Sequence, residues 1–469
     1  MSKKVTLSIS LLLLLSCVSL AAGPVGVFED AKDVGSVAGI GSTVYTGYVW
    51  RDDPVLVQQY LMTGGGADIW GNADEFHYAY RTMTGDFRVS TGYEWIACPD
   101  YWTKVGVMIR ADLTGPSVNY YTLTRRDQTR VALQGRSSTG AGSWDQGIDK
   151  AAKAKRLGVQ RVTIGGLSFI EGLVDWGTGT GWERVGNLNL VFSAQLPNEV
   201  KAGVALLGHL ENNGAVTAGN NALAQAYVYD VVYEQGAKLV GPAPVFPNVP
   251  GSAATQKCTE IPGFIIRAAA PLVNAGWGYA AMNEFLDTGM LNGLPAQPGS
   301  AGQRVDPVVN IRDTGDGAFG NNRSVPGIDP FQFPAADPAA GDDDDNYAVE
   351  VRACIYLTKG LHIIGANSDD GTIVLVGGVE IGRAGEWKGT SNVDFIFNVE
   401  ATGWYPLRAR MLEGGGGSSL ELHEVLMNGQ RILLGDVASG GSPVVVPEPA
   451  TIALLGFGGL ALLRRRKGA

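Results

Sequence analysis

The chain has 469 residues, of which 45% are hydrophobic and 17% charged, a globular composition that excludes disorder throughout and predicts two or three domains. Its 66 glycines and 22 prolines predict many tight turns, which favours β structure. The 36 basic against 46 acidic residues leave a net charge of −10, which argues against binding nucleic acid, and the 4 histidines and 4 cysteines leave few groups for zinc, haem or thiol chemistry.

The amino terminus has the pattern of a secretory signal peptide over residues 1–22. Lys3 and Lys4 precede an apolar run, and the small residues that follow place cleavage after Ala21 or Ala22. A competing interpretation is a lipoprotein signal in which Cys17 becomes the acylated first residue. Both interpretations predict export.

Residues 24–236 contain short segments rich in β-branched and aromatic residues, such as 119–125 and 130–135, with turn formers between them. No helical period accompanies them, so the pattern predicts a sandwich of two antiparallel sheets. The order of these segments, with 64–70 and 74–78, resembles the concanavalin-like or laminin-G-like sandwiches of exported bacterial proteins.

The first half of the chain also carries many tryptophans, for which core packing is the default expectation; they are Trp70, Trp95, Trp102, Trp144, Trp176 and Trp182. Trp176 and Trp182 lie in a turn-rich stretch, where exposure and ligand binding by stacking are the alternative. The sequence therefore offers these two as candidate ligand-binding residues.

A proline-rich segment at residues 237–254 predicts a stiff linker to a second domain at 255–436. Strand signals at 347–356, 361–367 and 404–413 follow one another in an order that resembles the PA14 domain, the β-barrel or sandwich of anthrax protective antigen that is also found in adhesins, glycosidases and toxins. A helix is expected at 280–288. Apart from this short helix, the predicted fold is all-β.

Asp369 and Asp370 form a pair of adjacent carboxylates at a turn between strands, a source of oxygen ligands for Ca²⁺. The resemblance implies a calcium site, because in the fungal adhesin branch of the PA14 family such an Asp-Asp pair holds a calcium ion that also binds sugar hydroxyls. An asparagine from a later loop assists the pair in that branch. That position falls on Glu413 here, followed by the glycine run 414–417, which lacks side chains to hold a sugar. The alternative is that the two aspartates only cap the turn.

Other acidic clusters are weaker candidates for metal binding. The run 342–345 has the character of a solvated charge run, and neither it nor 313–317 has the spacing of an EF-hand loop. Glu421 and Glu424 project to opposite faces if their segment is a strand, which disfavours a glycosidase pair.

Three cysteines remain after removal of the signal peptide, in a compartment that permits disulfides. Cys258 and Cys354 share a domain and are the expected pair, which leaves Cys98 buried or free.

The carboxyl terminus consists of a predicted stalk at 437–446 and a three-part signal at 447–469. Pro447, Glu448 and Pro449 precede an apolar run at 450–463 and a basic tail at 464–467. This arrangement resembles the PEP-CTERM sorting signal, which implies transient membrane insertion through a C-terminal transmembrane helix and cutting by an exosortase near the Pro-Glu-Pro. A short permanent membrane anchor is the alternative.

Together these observations predict a non-catalytic, exported protein that binds glycan or extracellular polysaccharide at the cell surface or in the extracellular matrix. A structural matrix component that binds other proteins is the alternative, followed by a glycoside hydrolase. Calcium is the expected cofactor, and no nucleic acid partner is expected.

Overall fold

The computed structural model describes residues 24–35, 41–51, 55–209, 223–255, 258–270, 278–288, 290–291, 294–295, 300–312, 318–319, 347–414 and 418–447. These residues form two compact units. The first comprises those up to Val162 together with 169–191 and 195–241, and the second comprises 163–168, 192–194 and those from Pro242 onward. The predicted signal peptide, the acidic runs 313–317 and 342–345, and the apolar and basic parts of the sorting signal lie outside the described residues.

Unit 1 is built from strands. In the described part of the chain they are β1 (Asp30–Val34), β2 (Ser42–Arg51), β3 (Val55–Gly64), β4 (Ile69–Trp70), β5 (Ala73–Asp74), β6 (Phe76–Met83), β7 (Phe87–Ala97), β8 (Lys104–Arg110), β9 (Asn119–Arg125), β10 (Arg130–Arg136), β11 (Trp144–Asp149), β12 (Arg156–Ile164), β13 (Leu167–Asp175), β14 (Trp182–Val191), β15 (Val200–Leu207) and β16 (Ala224–Gln235).

Two sheets of unit 1 enclose its core. One has the strand order β1-β6-β15-β8-β9-β10-β11, and the other has the order β14-β13-β12-β7-β16-β3-β2. Alternation along each strand explains the packing: in β10, Val131 and Leu133 enter the core, whereas Arg130 and Gln134 belong to the opposite face. The short hairpin β4–β5 lies over that outer face, with Ile69 in a second apolar cluster that includes Leu123.

Unit 2 is also mainly β. Its described elements are β17 (Asn248–Val249), β18 (Cys258–Pro262), β19 (Phe264–Ala270), α1 (Tyr279–Thr288), β20 (Met290–Leu291), β21 (Leu294–Pro295), β22 (Ser300–Asp306), β23 (Asn310–Arg312), β24 (Tyr347–Leu357), β25 (Gly360–Asp369), β26 (Thr372–Val376), β27 (Val379–Arg383), β28 (Ser391–Val399), β29 (Gly403–Glu413), β30 (Ser419–Val425), β31 (Arg431–Leu433) and β32 (Val444–Pro447), with single 3-10 turns at Gly251–Ala253 and Val437–Ser439.

The sheets of unit 2 form a sandwich. One sheet has the order β17-β28-β25-β30-β23, with β31 also paired to β30, and the other contains β18-β32-β24-β29-β26-β27, with β19 and β22 attached to β24. Within the described residues both sheets end at edge strands, so the barrel form expected as one option is not found. The prediction of an all-β fold is confirmed.

Helix α1 packs on the outer face of the sheet that contains β29. Met282 and Phe285 of the helix share an apolar cluster with Leu412. Arg408 and Arg410, which alternate with core residues along β29, form ion pairs with Asp287 at the end of α1. The helix is thereby held beside the carboxyl end of β29, where the candidate site lies.

The expected stiff linker and the expected stalk both contain paired structure. In the expected linker, Val249 of β17 is fully buried and pairs with β28. In the expected stalk, β32 lies between β18 and β24, with Val444 and Val446 buried. The buried valines outweigh the nearby prolines, which flank these short strands or stand at their ends, where proline is tolerated.

Candidate functional site

The ends of two strands bring the predicted carboxylates of unit 2 together. Asp369 is the last residue of β25, and Asp370 follows it in the turn to β26, across a cis peptide bond. Glu413 is the last residue of β29, and the backbone N–H of Leu412 donates a 3.0 Å hydrogen bond to the carbonyl of Gly371. This bond fixes the end of β29 against the turn that carries the aspartates.

Asp369, Asp370 and Glu413 each offer one carboxylate oxygen, and these three oxygens lie within 4.8 Å of one another. Asp370 is 8% exposed and Glu413 is fully buried, whereas Asp369 is half-buried. Calcium binds oxygens at about 2.3–2.6 Å, so two ligands on one ion lie at most about 5 Å apart. The three oxygens therefore satisfy the spacing that one calcium ion requires.

The loop between β27 and β28 caps both aspartates. The N–H of Lys388 donates to Oδ1 of Asp370 at 2.9 Å, and the N–H of Gly414 donates to Oδ2 at 3.1 Å. Thr390 donates to Oδ2 of Asp369 from its N–H and its hydroxyl, at 3.1 and 3.0 Å. The turn-capping role is thus present, but each carboxylate oxygen has a further lone pair that can ligate a cation.

The Lys388 ammonium supplies positive charge beside the site. It donates to the backbone carbonyls of Ser368, Gly389 and Ser391. Burial lowers the pKa of Lys388, and the carboxylates of Asp369 and Asp370 act in the opposite direction. The ammonium therefore offsets part of the negative charge of the two aspartates.

A further oxygen lies on the strand next to Asp369. Ser419, the first residue of β30, is the register partner of Asp369, and its buried Oγ has no hydrogen-bond partner in the described part of the chain. Side chains directly opposite one another on neighbouring strands share a face of the sheet.

Trp387 forms an exposed aromatic surface at the site. Its side chain is 56% exposed and lies against Gly414, where an added Cβ would approach the Trp387 ring to 2.1 Å. The neighbouring Glu386 accepts a 3.0 Å hydrogen bond from the N–H of Tyr279, and the Tyr279 hydroxyl donates to the carbonyl of Ala384 at 2.6 Å. Helix α1 therefore holds the loop that presents Trp387.

Sequence reasoning did not select Trp387, Lys388 or Thr390. The available signal was a glycine-bounded polar loop, 385–390, with one tryptophan in it. The pairing of β25 with β28 and of β26 with β27 brings that loop to the aspartates.

The two tryptophans selected from the sequence lie in unit 1. Trp176 is 6% exposed and belongs to the core, which was the default expectation for each tryptophan, so the alternative of an exposed ring is not found for it. Trp182, in β14, is half-buried, with the guanidinium groups of Arg88 and Arg156 at 5.8 and 5.7 Å from its ring. The two guanidinium groups therefore lie over the ring of Trp182.

Cys258 and Cys354 are joined by a disulfide that links β18 to β24, and Cys98 is a free, half-buried thiol. Of the sorting residues, Pro447 ends β32, and Glu448 and Pro449 lie outside the described residues. No helix among the described residues is long and apolar enough to span a membrane.

Residues 445–467 match the PEP-CTERM protein-sorting motif. This motif indicates an exported protein that transits the membrane and is processed by an exosortase, as the sequence predicted. No curated protein matches the chain.

Several solved structures are similar to part of the chain, and they include PA14 domains. The PA14 sugar-binding domain from an RTX adhesin is 14% identical, with a TM-score of 0.27, and the match covers 37% of this chain and 95% of that one. The PA14 domain of the MpAFP antifreeze protein is 14% identical, with a TM-score of 0.29, and the match covers 45% of this chain and 98% of that one. The epithelial adhesin 9 A domain from Candida glabrata, in complex with Galb1-3GlcNAc, is 12% identical, with a TM-score of 0.27. The match covers 45% of this chain and 98% of that one. These scores are too low to support an argument about function.

Proposed function

We propose that this exported protein binds glycan, without catalysis, through a calcium ion held by Asp369, Asp370 and Glu413. The observation that carries the proposal is the convergence of three carboxylate oxygens, two from largely buried side chains, within 4.8 Å. Burying carboxylates together is costly unless a cation compensates them. Glu413 comes from another strand, β29, so the cluster is assembled across the fold and not within the turn alone.

Calcium is the cation that suits this donor set. It prefers oxygen ligands and accepts about 6–8 of them in flexible geometry. Because Asp370 already accepts two backbone N–H groups, we expect it to bind through one oxygen only. The ion would then retain open positions for water or for hydroxyl groups of a ligand.

Saccharide is the ligand class that suits the surroundings of the ion. Vicinal hydroxyls can occupy the open calcium positions on the side of half-buried Asp369, while the apolar face of a pyranose ring can lie on exposed Trp387. Trp387 thereby provides the contact surface that the glycine run after Glu413 lacks. The protein would act at the cell surface or in the extracellular matrix after transient anchoring in the cytoplasmic membrane.

A glycan array probed with the mature chain in calcium and in EDTA tests this function. We expect a set of glycans whose binding requires calcium, is lost in EDTA and is weakened at least tenfold by Trp387→Ala. Trp404→Ala, which removes a tryptophan at the opposite end of β29, is the matched control and should bind these glycans normally. If no glycan lost binding in EDTA, or if both variants weakened the calcium-dependent binding equally, the proposal would be contradicted.

A structural role through protein contacts is the second candidate, favoured by the edge hairpin β2–β3. Its exposed apolar side chains are Val44, Tyr45, Tyr48, Trp50, Val55 and Leu56. Exposed apolar surface at a sheet edge favours association with other chains. Sedimentation would show self-association independent of calcium and sugar if this role dominates.

A further inference from the structure

A cavity of about 550 Å³ lies on the outer face of unit 1, over strands β8 to β11. Its floor includes Lys104, Arg125, Arg130 and Gln134, the residues that alternate with core side chains along their strands. Its volume falls within the ~300–1,000 Å³ of small-molecule sites. None of these residues belongs to the calcium site of unit 2.

The charges that line the cavity are already compensated by one another. Arg130 forms ion pairs of 2.5 Å with Asp145 and 2.9 Å with Asp149. Lys104 pairs with Asp68. A charged ligand would have to displace these pairs, so a neutral ligand suits the cavity better.

Two tryptophans border the same cavity and are substantially exposed. Trp70 is 44% exposed and Trp102 is 45% exposed. The Arg125 guanidinium lies 4.8 Å from the Trp102 ring, and Tyr101 contacts that ring edge-on. Trp102 is therefore supported on one side and open to solvent in part.

Trp70 is positioned by a buried ion pair. Arg136 of β10 and Asp74 of β5 are both buried and make two hydrogen bonds of 2.7 and 2.8 Å. The same guanidinium donates to the carbonyl of Gly71, the residue after Trp70, at 3.0 Å. The hairpin β4–β5 is thus fixed over the sheet, which favours a preformed binding wall.

Gln134 gives an independent indication of a ligand. It is 7% exposed and lines the cavity, and its Nε2 donates to Oδ2 of Asp145 at 2.9 Å. Its buried Oε1 has no hydrogen-bond partner among the described residues. A buried acceptor left unsatisfied costs about 1–3 kcal/mol, which a ligand hydroxyl donating to it would recover.

We propose that this cavity is a second saccharide site, independent of calcium, that takes a neutral sugar. Aromatic rings at Trp70 and Trp102 provide surfaces for the apolar faces of pyranose rings. The fixed carboxylates, guanidiniums and the free acceptor of Gln134 provide directed hydrogen bonds to hydroxyls. A purely apolar ligand would bury these polar groups without partners, which disfavours it.

The test is a glycan array probed with the mature chain in EDTA, where the proposed calcium site is inactive. We expect retention of neutral glycans, weakened at least tenfold by Trp102→Ala and by Gln134→Leu. Trp50→Ala, at a more exposed tryptophan on β2 outside this cavity, and Trp387→Ala should both bind as the parent does. Thermal melts establish that each variant is folded.

No binding of neutral glycans in EDTA would overturn the inference, as would binding confined to acidic glycans or equal weakening by Trp50→Ala. If the chain bound neutral glycans in EDTA but showed no additional binding in calcium, the proposed function of unit 2 would be contradicted and this cavity site would be supported.

Discussion

The backbone N–H of Gly414 donates a 3.1 Å hydrogen bond to Oδ2 of Asp370, which joins the residue after β29 to the turn after β25. Since Lys388 donates to the other oxygen, Asp370 has a backbone donor at each of its two oxygens, whereas the donors to Asp369 among the described residues reach Oδ2. The two adjacent aspartates therefore differ in what an asparagine substitution would do.

Asp369→Asn should weaken calcium binding at least tenfold, about 1.4 kcal/mol, with little change in stability. The asparagine oxygen can accept from Thr390 in place of Oδ2, while one formal charge is lost at the ion. Titration calorimetry measures the affinity, and urea unfolding measures the stability.

Asp370→Asn should also destabilise the fold, by about 1–3 kcal/mol, because its amide group must face one of two backbone N–H donors. Urea unfolding of both variants in EDTA separates this cost from calcium binding. Equal stabilities for the two variants would contradict the assignment of hydrogen bonds at the turn.

The disulfide should stabilise unit 2 substantially. Cys258 and Cys354 are 96 residues apart in sequence, and a loop of that length corresponds to about 4–5 kcal/mol in the chain-entropy treatment. Replacing both with serine should lower the unfolding free energy by that order, measured in denaturant. Cys98→Ser, at the free thiol, is the control and should change little.

The fragment 242–447 should fold as a more stable unit than 255–436. The shorter fragment lacks β17 and β32, and with them the buried side chains of Val249, Val444 and Val446. Each buried valine contributes about 1.5 kcal/mol or more, so a loss of about 4 kcal/mol is expected. Thermal melts of both fragments measure it, and indistinguishable melts would show that the added strands contribute nothing.

The mature protein from its native host should lack the residues after Pro449. The Pro-Glu-Pro sequence, the apolar run and the basic tail occur together within the matched sorting motif. Intact-mass analysis gives the mature carboxyl terminus. Recovery of the apolar tail in the mature protein would contradict processing by an exosortase.

Strand positions could be predicted closely where β-branched runs stand between turn formers. The expected strand 119–125 is β9, and 404–413 falls within β29. The segments at the proline-rich connectors were harder, because whether a valine in β32 is buried depends on distant strands β18 and β24. Local composition carries no information on such pairing.

The candidate carboxylates could be selected from the sequence because the Asp369-Asp370 pair is a local feature of a turn. Trp387 could not, since its proximity to Gly414 follows from the pairing of β26 with both β27 and β29. The burial of Trp176 likewise depends on the core around it and not on its glycine-rich neighbours.

A thermal melt of the mature chain in calcium and in EDTA tests whether unit 2 holds a calcium ion between Asp369, Asp370 and Glu413. Binding to the folded state alone should stabilise it by about 2.7 kcal/mol at a calcium concentration of 100 times Kd. We expect a higher Tm in calcium, with the shift reduced in Asp369→Asn and Glu413→Gln. An identical Tm in millimolar calcium and in EDTA would show that no calcium ion binds there and would leave the aspartate pair as a turn cap.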